Sequence, residues 1–363
     1  MSKYKIHNLI IIGYVFFIII LFLPFLSYTG DITENPNSQS NKNAIRKVNL
    51  QEVMRFSDVP EKEIYFKYPL AIKLDDDGNI YILDMPHILK FGPDGKFLVK
   101  MIKEGQGPGE LPDGYVGSLA DFIIAKNKVI AFSNNKALWF NEKGEFQEEK
   151  RLPINGFWAN FIVTPDLNYY AFERIKPRRD VLQKVGSYKY PVYLWRISPD
   201  FKEKKLIYKW ELSGKVREDG SYLLTDPRYI LIDSEILIAT LTAEYGFFSF
   251  DLKKSKIVKT FTQKYKRIKY QRGIYYMPAI FSFHYVWPEL WVVTSTKDEN
   301  KNLLIHSWDL KTGDMEEFYL KFPKGETYRF RGVGSRIAIV SGFMFSIEQN
   351  SEGFYNIVKY RIE

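Results

Sequence analysis

Residues 69–101 (PLAIKLDDDGNIYILDMPHILKFGPDGKFLVKM) read as four short strands parted by three turns, and the same outline recurs five times downstream. No segment after residue 47 longer than about ten residues keeps a helical apolar stripe. These observations predict an all-β chain folded as a six-bladed β-propeller, preceded by one N-terminal helix. A four-stranded unit cannot close its own edges, and radial repetition leaves only short, protected ones. A sandwich rarely needs six copies of one unit, and a parallel α/β sheet would need crossover helices.

The helix comes first in the chain. Lys3 and Lys5 precede residues 9–26, a run without a charge, and Asp31 and Glu34 follow it. Such a helix spans roughly 27 Å at about 1.5 Å per residue, close to the hydrocarbon thickness of a bilayer. Positive charge on its N-terminal side alone keeps that end in the cytoplasm and exports the rest. A cleaved signal peptide has a shorter apolar core ending in small residues, and Ser27-Tyr28-Thr29 is a poor cleavage site. Residues 1–30 are therefore expected to be an uncleaved signal anchor, single-pass in the cell membrane, with the remainder extracytoplasmic. Residues 31–47 (DITENPNSQSNKNAIRK) are polar and Asn-rich, the composition of a flexible stalk. The chain has no cysteine, which excludes disulfides, thiolate metal sites, cysteine nucleophiles and a lipid-modified cysteine anchor.

The propeller is expected over residues 48–363. With Ile80 heading the second strand of the first unit, equivalent positions are Val129, Tyr169, Ile236, Leu290 and Ile337. Their intervals of 49, 40, 67, 54 and 47 residues fall within or somewhat above the period of four-stranded blades. The long interval is ascribed to an insertion at 173–191 in the third unit. Further turns are read at Gly95, Gly144, Asp200 and Gly313. The last unit ends at Arg361, so residues 48–55 are expected to pair with the C-terminal blade and close the ring.

The first unit resembles a blade of the NHL-type six-bladed propellers through Pro69, Ala71, Ile72, Asp77, Gly78, Asn79, Ile80, Tyr81 and Asp84, then Ile88, Phe91, Asp94, Gly95, Lys96 and Phe97. The linker 104–110 (EGQGPGE) is similar to the inter-blade loop of secreted bacterial members. The resemblance implies the fold and leaves the activity open, because propellers host binding, scaffolding and several catalytic chemistries. Lactonase-like propellers hold a central calcium with Glu, Asn and Asp from several blades; that resemblance would place Asn160, Asp84, Asp233 and Glu289 at a metal-dependent hydrolase or lyase site.

Local motifs give little chemistry. Residues 75–79 (DDDGN) lack an acidic ligand at the twelfth position of a calcium loop, which is Pro86, and read as a β-turn. The glycines of 104–110 lack the Lys-Ser/Thr of a phosphate loop and read as a connecting turn. His7, His87, His284 and His306 are unpaired in sequence, and His284 is expected to be a satisfied core or channel histidine. Lys plus Arg exceed Asp plus Glu by 9, a diffuse surplus with no nucleic-acid footprint. Two segments remain, 173–190 and 264–276, in which cations alternate with aromatics. Arg178, Arg179, Lys266, Arg267, Lys269, Arg272, Tyr275 and Tyr276 are the candidate binding residues, for an unknown protein or an anionic ligand. Solvated loops are the plainer alternative. The function expected is a ligand-binding or scaffolding module without a cofactor or a catalytic residue, calcium entering only under the hydrolase or lyase alternative.

Overall fold

The computed structural model describes residues 32–34, 46–111, 119–154, 159–175, 185–216, 227–242, 244–265, 278–297, 302–323 and 336–363. The regular elements among them are strands and one 3-10 turn at Pro60–Lys62. Ile32–Glu34 (β1) and Arg46–Phe56 (β2) precede blade one, which is Pro69–Leu74 (β3), Ile80–Asp84 (β4), His87–Phe91 (β5) and Phe97–Met101 (β6) in that spatial order. Turn chemistry sets this blade. The Asp75 carboxylate accepts the Asn79 amide at 2.8 Å and Gly78 supplies a φ of 79°, so the DDDGN run closes as a β-turn. The middle strands β4 and β5 are buried throughout, while the outer β6 alternates.

After the short parallel pair Lys103–Glu104 (β7) and Glu110–Leu111 (β8), blade two is Leu119–Ala125 (β9), Lys128–Ser133 (β10), Lys136–Asn141 (β11) and Phe146–Arg151 (β12). Blade three is Ala159–Val163 (β13), Tyr169–Arg174 (β14), Gly186–Ile197 (β15) and Lys204–Val216 (β16); blade four is Arg228–Ile232 (β17), Ile236–Thr240 (β18), Gly246–Asp251 (β19) and Lys256–Thr262 (β20). Blade five is Ile280–Val286 (β21), Glu289–Lys297 (β22), Leu303–Asp309 (β23) and Met315–Lys321 (β24). Blade six takes Ile337–Val340 (β25), Phe343–Gln349 (β26) and Tyr355–Ile362 (β27) from the C-terminal end and β2 as its outermost strand.

Neighbouring blades touch through their innermost strands: β9 lies against β13, β17 against β21, β21 against β25 and β25 against β3, while side-chain bonds join β3 to β9 and β13 to β17. Six apolar clusters follow, each drawn from two adjacent blades, and the cluster of Phe91 with Phe345 and Ile347 joins blade six to blade one. The ring is therefore closed. Closure runs through β2, as expected for residues 48–55: Leu50 to Phe56 pair antiparallel with β27, Leu50 opposite Ile362. Residues before the crossing do something the sequence did not announce. Arg46 to Asn49 pair parallel with β24, so one strand joins the outer edges of blades five and six.

Three expectations need correction. Ile337 heads the innermost strand of blade six, not its second strand, because β2 supplies the fourth strand and the C-terminal segment therefore needs only three. The insertion in blade three is narrower than 173–191, since β14 runs to Arg174 and residues 186–191 extend β15 against β16. Within the polar segment 31–47, Ile32–Glu34 pairs parallel with β20 on the outer edge of blade four, and Arg46 and Lys47 already belong to β2. The anchor expected over 1–30 lies outside the described residues.

Candidate functional site

Side chains on the innermost strands determine what the propeller axis offers. Lys73 of β3 places its Nζ 2.9 Å from Asp121 Oδ1 of β9 and also donates to the Phe122 carbonyl. Tyr229 of β17 donates to the Phe161 carbonyl of β13 and stands 3.5 Å from Asp121 Oδ2. Burial first, and then the Asp121 charge, hold the Tyr229 phenol well above its ordinary range, so it is a neutral donor. These bonds link the inner edges of blades one to four.

Across the ring, the Ile339 N–H of β25 donates to His284 Nδ1 of β21 at 3.3 Å, and His284 Nε2 lies 2.8 Å from Ser282 Oγ. A backbone N–H can only donate. Nδ1 is therefore the unprotonated nitrogen, and Nε2 carries the hydrogen and donates it to Ser282. Burial lowers the His284 pKa to about 4, which keeps the ring neutral at pH 7. A serine nucleophile needs the bare nitrogen of its histidine turned toward the hydroxyl. Here the nitrogens are the other way round, so the pair braces the wall and does not activate Ser282.

The residues placed at a calcium site by the lactonase resemblance are apart. Buried Asp84 accepts the amides of Lys67 and Tyr68. Asp233 lies in the β17–β18 turn at a φ of 49°. Glu289 accepts Trp291 Nε1 at 3.2 Å and the Ser307 hydroxyl. Asn160 is on β13, its Oδ1 enclosed and without a hydrogen-bond partner. Calcium takes six to eight oxygens. Among the described residues no three His, Asp or Glu side chains converge, and this donor set does not fit the ion.

Arg178, Arg179, Lys266, Arg267, Lys269, Arg272, Tyr275 and Tyr276 lie outside the described residues. The strands that bracket them are described. In an up-and-down blade alternate connections share a face, which puts the end of β14 and start of β15 on the same face as the end of β20 and start of β21. Other members of the two segments are committed elsewhere: Lys189 pairs with Glu211 at 2.8 Å across β15 and β16, Arg174 is buried, and Tyr265 hydroxyl bonds Thr296 Oγ1 at 2.5 Å. The linker 104–110 is closed on itself, because Glu110 Oε2 accepts the Gly107 amide at 2.8 Å and so occupies a donor an anion would need.

Sequence reasoning missed a polar knot between blades four and five. Trp308 Nε1 donates to the Tyr245 hydroxyl at 3.0 Å, and that hydroxyl is hydrogen-bonded to His306 Nδ1 at 2.7 Å. His306 Nε2 then faces Glu317 Oε1 at 3.2 Å, outside hydrogen-bond alignment, and the imidazole holds the Glu317 pKa below its usual range. It joins residues 61 positions apart, which no local motif signals. A cleft of about 390 Å3 between blades two and three is lined by Asn134, Arg151, Pro153, Glu173 and Lys204. Its carboxylate is already used, since Glu173 accepts Trp195 Nε1 at 2.7 Å and Lys204 Nζ at 3.1 Å.

No curated protein matches the chain. Among solved structures it is similar to a "Putative exported protein" of Bacteroides fragilis NCTC 9343, at 15% identity and a TM-score of 0.56 over 90% of this chain and 98% of that one. It is also similar to a gluconolactonase of Xanthomonas campestris (11% identity, TM-score 0.43, 82% and 88% covered) and to the calcium-binding protein regucalcin of Agrobacterium tumefaciens (7%, 0.44, 87% and 97%). At these identities the first likeness supports the fold alone, and the other two support nothing further. Residues 33–233, more than half of the chain, match the family DUF5128, described as a 6-bladed beta-propeller. The six interfaces and the closed ring agree with that match, and the chain belongs to this 6-bladed beta-propeller family.

Proposed function

We propose that this chain is a membrane-tethered, extracytoplasmic propeller that binds an acidic partner through the face bearing the β14–β15 and β20–β21 connections. The observation that favours binding over catalysis is the saturated axis: Lys73 rests on Asp121, Tyr229 on the Phe161 carbonyl, and His284 turns a proton-bearing nitrogen to Ser282. Export is supported by Lys3 and Lys5 ahead of the uncharged run 9–26, and by the description of the Bacteroides fragilis protein. Blade one keeps the NHL-type pattern, and we read the other blades as diverged versions of it.

The test is charge reversal in the full chain, at Arg178 and Arg179 or at Lys266, Arg267 and Lys269, with immobilised polyglutamate as the probe. Wild-type retention should fall as salt rises, because exposed charges are screened over about 8 Å at physiological ionic strength. Both variants should elute earlier while keeping stability within about 0.5 kcal/mol of wild type. Retention that ignores salt, or that neither variant changes, removes the proposal.

A further inference from the structure

Arg336 immediately precedes β25 and is only 5% exposed. Ala338, two residues on, packs in the apolar cluster between blades six and one, and Tyr355 packs against that same cluster. Its guanidinium lies 5.7 Å from the centre of the Tyr355 ring, and its Nε is enclosed with no hydrogen-bond partner. Among the described residues no carboxylate pairs with it. Two carboxylates of the adjoining elements are committed to backbone: Asp58 accepts the Phe66 amide at 2.8 Å, and Asp84 accepts those of Lys67 and Tyr68. Buried arginine is ordinarily paired, because a desolvated cation without a counter-charge is costly. The Tyr355 face offsets part of that cost and cannot take the place of an anion.

We propose that Arg336 is the anchor of an oxyanion-binding site at the junction of blades six and one, for a ligand presenting a carboxylate or a phosphate. The guanidinium fork matches two oxygens of either group, and burial strengthens such a pair relative to one in water. Tyr65, Tyr68 and Phe354 are exposed on connections 57–68 and 350–354, which leave the ring on the face where β25 begins, and they supply apolar surface for the body of the ligand. No residue of the two basic-aromatic segments takes part, so the site stands or falls separately from the function proposed above.

The experiment is thermal unfolding of the full chain in phosphate, in acetate and in chloride at one ionic strength. Phosphate or acetate should raise the melting temperature saturably, by about 2–4 °C near saturation, where chloride does not. Which of the two acts separates a phosphate ligand from a carboxylate ligand. Arg336→Met should abolish the anion-specific rise without lowering the melting temperature in chloride, since it removes an uncompensated buried charge. Arg336→Lys keeps the charge, loses the fork and should retain part of the rise, which gives a folded comparison if the Met variant does not fold. An equal response to all three anions overturns the site, as does an anion-specific rise that survives intact in Arg336→Met.

Discussion

One backbone amide decides the chemistry of His284. Because Ile339 donates to Nδ1, the ring cannot serve Ser282 as a base, and its burial makes protonation unfavourable in the folded chain. The sequence placed His284 in an aromatic strand and so indicated a satisfied core residue, but its amide donor lies 55 residues away and was not legible. Asp84 shows the same limit. Its match to the first-blade pattern was visible, while the amides it caps, on Lys67 and Tyr68, depend on how the incoming connection folds over it. A titration follows from His284. Its pKa is depressed from 6.5 to about 4 on folding, so the stability it contributes is present above 6.5 and is lost as pH falls toward 4. Each tenfold change in proton affinity is worth about 1.4 kcal/mol, which makes the loss on the order of 3 kcal/mol. His284→Gln should flatten the urea midpoint between those pH values relative to wild type; parallel profiles would show that the ring titrates normally.

Among the elements, β2 has the largest structural role. Its pairing with the C-terminal blade was legible because the last unit ends at Arg361 and the ring needs a partner strand there. Its parallel pairing with β24 was not, since neither composition nor turn residues mark a strand that serves two sheets. The same device hid the register of blade six. Asn49 sits where the pairing changes, exchanging hydrogen bonds with Glu363 at 3.1 and 2.9 Å, and Val48 and Leu50 on either side are buried between blades five and six. A chain beginning at Ala44 keeps β2 whole and should unfold cooperatively on circular dichroism. One beginning at Ser57 lacks the fourth strand of blade six and should lose that cooperativity, because a burial such as Leu50 contributes about 2–5 kcal/mol by itself. Equal midpoints for the two chains would show that β2 does not close the ring.

For the whole molecule, the fold was the most legible property: six repeats, turn residues at Gly95, Gly144 and Gly313, and alternating burial are all local signals that add up around a ring. The site was least legible, because the axis is built from residues of all six blades and its partners are set by closure. The proposed membrane attachment is tested at this scale too. The intact mass of membrane-extracted protein should correspond to an uncleaved chain, and an N-terminus between Ser27 and Asn35 would show instead a released, soluble propeller.

The shared strand also orders biogenesis. β27 is made about 300 residues after β2, so at about 5–20 residues per second the strand waits on the order of tens of seconds with that edge unpaired. If the chain that follows the anchor is exported as it is made, that wait takes place on the extracytoplasmic side and beside other copies in the same state. An orphan β2 fits the open edge of any finished β27, and exchange between two chains satisfies both. The geometry that closes one ring thus also provides a route to a swapped dimer whenever local concentration outruns the completion of synthesis.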